Sequence, residues 1–86
     1  MTSEEFRDRF QHHPLGHVLQ NMEIAETEIA LERYLGMALG MVMVMCHHEH
    51  ITKEEQEFLM EASKGNAKRN YDRVMKTNAA APATRQ

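Results

Sequence analysis

The chain has no tryptophan, one cysteine and two prolines, and only 6% of its residues are aromatic. Each scarcity removes a class of protein. A single cysteine permits no intramolecular disulfide and no structural zinc site built on paired cysteines, which suits a reducing compartment. The N-terminal MTSEEFRDRF is charged from its start and lacks the apolar core of a secretory signal. The run from Tyr34 to Cys46, YLGMALGMVMVMC, falls short of the roughly 20 apolar residues needed to cross a bilayer. A cytoplasmic protein with no membrane contact is the expectation. No Glu-x-x-His pair, phosphate-cradling glycine loop, activated nucleophile or acid and base pair is evident, so neither an enzyme nor a cofactor is expected.

What the sequence does contain is helical periodicity. Thr2 and Glu5 have capping-box spacing, with Phe6 and Phe10 on one edge of a short first helix that ends near Gln11, before Pro14 and Gly16. A long second helix is expected from about Leu15 to about His47, roughly 50 Å at about 1.5 Å per residue. One stripe along it comprises Ile24, Leu31, Leu35, Ala38, Val42 and Met45. Beside it lie Met22, Ala25, Ile29, Gly36, Leu39, Met43 and Cys46. The two stripes merge into an apolar girdle after Tyr34, which requires neighbours on several sides. A single chain of 86 residues is short of surface to supply them, so self-association is expected.

Gly36 and Gly40 would each weaken an isolated helix by about 1 kcal/mol relative to alanine, and their spacing suggests close approach of another backbone. HHEHI, from His47 to Ile51, reads as a connection. Thr52 and Glu55 form a second capping box, opening a helix that runs to about Lys76 with Met60, Ala67, Tyr71 and Val74 on one stripe. Residues 1–76 thus form a single helical domain and 77–86 a disordered tail. Folding the last helix back sets Glu32 level with Lys68 and Arg69, Glu28 with Arg73, and Glu23 or Glu26 with Lys76. Residues 1 to 60 carry 11 acids and 4 bases, residues 61 to 86 carry 6 bases and 2 acids, so the halves are complementary.

The candidate chemistry is sparse. Six histidines and the cysteine fall into two groups, of which His13, His17, Cys46, His47 and His50 have the donor types that zinc, nickel or copper take. At opposite ends of one long helix they would meet only between two antiparallel copies. Imidazole also titrates near neutrality, making a pH response a further use. Lys64, Lys68, Arg69, Arg73 and Lys76 offer a basic stripe for nucleic-acid phosphates, without a helix-turn-helix spacing or an aromatic platform. The glutamates of the long helix fall mostly outside its apolar stripes. The eight methionines suit an adaptable helix interface.

The expectation is therefore an all-α fold: a short N-terminal helix plus a long antiparallel helical hairpin, assembled as a homodimeric bundle. Its contact would use Leu35, Met37, Leu39, Met41, Val42, Met45 and Met60. The expected function is that of a non-catalytic interaction module (adaptor, chaperone-like partner or inhibitor) binding itself and another protein. A nucleic-acid-associated regulator using the basic stripe is the alternative, and a metal- or pH-responsive protein a third reading.

Overall fold

A computed structural model describes residues 2–80, in which four helices follow one another: α1 (Ser3–Phe10), α2 (Pro14–Ile24), α3 (Glu28–His47) and α4 (Lys53–Ala80). There is no strand among the described residues. The principal extents are 50 × 23 × 20 Å.

Local sequence signals account for most of the helix ends. Thr2 accepts the Glu5 amide at 3.1 Å, although its hydroxyl, and not its backbone, meets the Glu5 carboxylate at 3.4 Å. The capping box at α4 is reciprocal: Glu55 N–H donates to Thr52 Oγ1 at 3.1 Å and Thr52 N–H donates to Glu55 Oε1 at 2.9 Å. Pro14 occupies the first turn of α2, where a missing N–H costs nothing, and His13 caps it by accepting the Leu15 amide at Nδ1. At Gly16 the backbone of α2 comes close to the end of α1: a Cβ there would lie 1.8 Å from the carbonyl oxygen of Phe10. Helix α3 ends in a Schellman motif, with His50 N–H donating to Met45 O, Glu49 N–H to Cys46 O, and Glu49 in the left-handed region at φ 62°.

The expected single helix from Leu15 to His47 is two helices. Ala25 adopts an extended conformation, φ −63° and ψ 137°, and Thr27 starts α3 by accepting the Ala30 amide at 3.1 Å. A break leaves carbonyls at the end of α2 without helical partners. Side chains of α4 bond carbonyls at and before this end: Asn66 Nδ2 donates to Leu19 O, inside the helix, at 3.3 Å, and Arg73 Nη2 donates to Met22 O at 3.1 Å and Ala25 O at 2.8 Å. Asn70 joins these two donors, bonding Asn66 Oδ1 at 2.6 Å and accepting from Arg73 Nε at 3.1 Å. This relay holds the bend from a segment far along the chain.

The bend returns α2 along α3. His13 and Pro14, at the start of α2, share a depression with Gly40, Met41, Val44 and Met45 near the end of α3, so the two helices run in opposite senses. The core consequently gathers Leu15, Val18 and Met22 of α2, Leu31, Ala38 and Val42 of α3, and Leu59 and Val74 of α4. Phe10 and Ile51 close it near the connections, and Phe6 stacks toward Phe58 with ring centroids 6.3 Å apart. The girdle thus finds much of its cover within one chain. The inner side of α4 also differs from the expected stripe: Ser63, Asn66 and Asn70 are buried beside Ala67 and Val74, while Tyr71 is exposed. Helix α4 continues through 77–80, which the sequence assigns to a disordered tail, and the rest of that tail, 81–86, lies outside the described residues.

Candidate interaction surface

Helical steps of about 100° per residue distribute α3 into two opposed sides. Leu31, Ala38, Val42 and Met45 lie on the side packed against α2 and α4, and all are buried. Ile29, Arg33, Gly36, Met37, Gly40, Met43, Val44 and His47 lie on the other, and all are exposed. The large side chains there are Ile29, Met43, Val44 and Met37, with exposures of 63%, 57%, 56% and 49%. A Cβ added at Gly36 or Gly40 would meet nothing within 4 Å. Among the described residues, then, no approach within the chain requires either glycine.

Of the residues expected at a subunit contact, Met37 is on this open side. Val42 and Met45 belong to the chain's own core, because the bend at Ala25–Thr27 brings α2 over them. Leu35, Leu39, Met41 and Met60 are half-buried at the margins. Ile24, read as part of the buried stripe, is 75% exposed at the end of α2. Ile29 and Met43, read from the sequence as part of the second apolar stripe, and Val44, which was in neither stripe, are exposed on the side of α3 that carries both glycines.

A second surface feature is the groove between α3 and α4. Leu31, Leu35, Ala67 and Tyr71 form its apolar floor, with Glu32, Lys64 and Lys68 around it. Glu32 and Lys68 thus share one groove, in line with the register read from the sequence. The ion pairs among the described residues differ from that register: they are Arg69 with Glu23 at 3.7 Å, Lys64 with Glu61 at 3.9 Å, and Arg9 with Glu55. Arg73 serves the α2 carbonyls instead of Glu28. Three of the five candidate phosphate-binding residues, Lys64, Arg69 and Arg73, therefore have partners within the chain, and Lys68 and Lys76 are exposed.

The histidines are not arranged as expected. Since α2 turns back, His13 and the end of α3 lie at the same end of one molecule, and no antiparallel pairing of copies is needed to bring the two groups together. His13 has Nδ1 engaged by the Leu15 amide and its ring edge-on to Phe10, with centroids 5.2 Å apart. His17, His47 and His50 are exposed and Cys46 is half-buried. His47 meets His48 edge-on at 5.3 Å, and His48 lies 6.0 Å from His50. Among the described residues no three His, Cys, Asp or Glu side chains converge to hold a metal ion.

One carboxyl group is electrostatically distinct. The Thr52 amide, and then the Arg9 guanidinium, hold the Glu55 carboxyl below its ordinary pKa. That contact joins α1 to the first turn of α4. Helix α3 also departs from the sequence expectation in length: at 20 residues, containing an 18-residue stretch of mean hydropathy 1.5, it is long and apolar enough to cross a membrane by length and composition alone. The expected shortfall came from counting only Tyr34 to Cys46; the helix starts at Glu28. The fold defines an all-α protein of four helices. Comparison with family models, curated proteins and solved structures gives no match in any of the three.

Proposed function

We propose that this chain is a non-catalytic, cytoplasmic interaction module that binds protein through the open side of α3, with α3 and α4 forming an antiparallel hairpin behind it. The observation that supports this reading is the exposed row Ile29, Met37, Met43 and Val44 on a helix whose opposite side is already covered. Large apolar side chains exposed together along one side of a helix are the surface feature that association would cover. Methionine is suited to such a surface, since its unbranched thioether repacks against partners of different shape. No cofactor is required by this role. The commitment of Arg69 and Arg73 to α2 favours protein over nucleic acid as the partner.

The test pairs the wild type with a Met37→Glu/Met43→Glu variant, each used to capture proteins from its source cells, with thermal melting as the folding control. Equal melting and loss of a specific captured protein by the variant is expected. Equal capture by both would overturn the assignment of the face. Binding of a generic DNA duplex that weakens steeply with added salt would instead favour the basic side of α4.

A further inference from the structure

The exposed side of α3 has a size gradient as well as an apolar character. Gly36 and Gly40 stand at its middle, with Met37 beside them at the edge of the row, Met43 and Val44 toward one end, and Ile29 and the aliphatic stem of Arg33 toward the other. Two helices that cross are closest at the crossing point and diverge from it. Small residues in the middle and larger ones on both flanks fit that shape. The glycines weaken the helix and serve no contact within the chain, so their fit to a crossing partner is informative.

We propose that the occupant of this face is a second copy of the chain, with the two α3 helices crossing antiparallel about Ala38. This rests on the reading of α3 as an interaction face and names its partner. Gly36 and Gly40 lie symmetrically about Ala38, so a twofold axis there sets Gly36 of each copy against Gly40 of the other. The same axis sets Arg33 opposite Met43 and Ile29 opposite His47.

Arg33 and the helix dipoles favour this direction. Glu26, Glu28 and Glu32 lie at the start of α3, and His47, His48 and His50, with Glu49 among them, at its end; all are exposed. Antiparallel copies bring the acidic start of one helix beside the histidine-bearing end of the other and align the helix dipoles favourably. A parallel pair would set Arg33 against its own copy, acids against acids and histidines against histidines. The self-complementary arrangement is thus the antiparallel one.

The experiment is sedimentation velocity on the full chain over a concentration series, with the wild type beside Gly36→Ala/Gly40→Ala. A dimer is expected for the wild type, and the added methyls should weaken it by about tenfold or more by forcing the backbones apart. In a monomer the same methyls meet open space and favour the helix, so a variant that melts higher with no effect on mass would overturn the proposal. Direction is read in a Cys46→Ser background: Arg33→Cys mixed with Met43→Cys should form a mixed disulfide on mild oxidation. Dominant crosslinking of Arg33→Cys to itself would overturn the antiparallel arrangement.

A wild type that stays monomeric also overturns self-pairing, and two further measurements then identify the occupant. Loss of a captured protein on Met37→Glu/Met43→Glu would retain the interaction module with a different protein on the face. Co-sedimentation of the monomer with phosphatidylcholine and phosphatidylglycerol vesicles, abolished by the same variant, would assign the face to lipid and overturn both readings.

Discussion

The two sides of α3 are close in composition and opposite in environment. Leu31, Ala38, Val42 and Met45 are buried, while Ile29, Met37, Met43 and Val44 are exposed. Nothing in the chemistry of these side chains separates the sets. What separates them is supply of neighbours: the bend at Ala25–Thr27 lays α2 on one side of α3, α4 occupies the adjoining flank, and the remaining side stays exposed, with Gly40 and Val44 at its border with His13 and Pro14 of α2. Burial in a small helical protein is set by topology as much as by hydropathy. An apolar side left open by topology is where association should be sought.

The largest expected effect comes from consecutive residues on opposite sides. Val42 is fully buried and Met43 is 57% exposed. Val42→Asp places a charge among apolar neighbours with no partner, a cost of several kcal/mol that exceeds what a chain of this size can absorb. Loss of the cooperative thermal transition, followed by circular dichroism, is expected. Met43→Asp leaves the charge in water and should change monomer stability by less than about 1 kcal/mol. Equal destabilisation by the two would mean that the sides are not distinct.

Glycine provides the next contrast. Gly16→Ala drives a Cβ into the Phe10 carbonyl, a backbone atom that only a shift of α1 against α2 can move, and should cost about 2 kcal/mol or more. Gly36→Ala, measured by denaturant unfolding at dilution, should stabilise the monomer by up to about 1 kcal/mol. The same substitution thus has opposite signs at a closed and an open position. A loss at Gly36 under monomeric conditions would show that α3 needs the glycine for its own packing.

The covered side depends on the bend, and the bend on Arg73. Arg73→Met removes the donors to Met22 O and Ala25 O while retaining much of the aliphatic stem, and should destabilise by roughly 1–2 kcal/mol. Arg73→Lys should recover only part of this, since an ammonium lacks the planar fork that reaches two carbonyls while also bonding Asn70. Full stability of the methionine variant in denaturant titrations would show that Thr27 and apolar packing hold the bend without the guanidinium.

These residues also show how much of the molecule was legible in its sequence. Thr52 with Glu55, Thr2 with Glu5, and Pro14 marked helix starts because capping is local and its spacing is fixed. The bend was not legible. No proline or glycine punctuates Ala25–Thr27, and Thr27 followed by Glu28 is a weak start signal against apolar periodicity that continues on both sides. Its cause lies in Asn66, Asn70 and Arg73, far along the chain, and hydropathy placed Tyr71 on the inner side of α4 where Ser63, Asn66 and Asn70 are buried. The open face was legible only in part. Met37 and the unexplained glycines pointed to it, whereas Val42 and Met45 were assigned outward because the bend that covers them was missing.

The smallest expected effect sets apolar covering apart from polar fastening. No titratable side chain lies among Leu31, Ala38, Val42 and Met45, so acid should not loosen the covered side directly. It should act where α1 meets α4. The folded-state pKa of Glu55 is depressed, first by the Thr52 amide and then by Arg9, so its contribution is fully present above the ordinary carboxylate pKa. It is lost as the pH falls through the folded value. Glu55 is half-buried at the surface, where solvent screens its ion pair, and the effect is local. Amide exchange at Glu55 and in the first turn of α4 should therefore accelerate below the ordinary carboxylate range, beyond the intrinsic effect of pH, while protection at Val42 persists. In Glu55→Gln the relative protection of those amides should lose most of its acid dependence. Equal loss of protection at Val42 in the wild type would mean that the apolar side of α3 is secured through the α1 corner, with the two sides distinguished by that fastening as well as by packing.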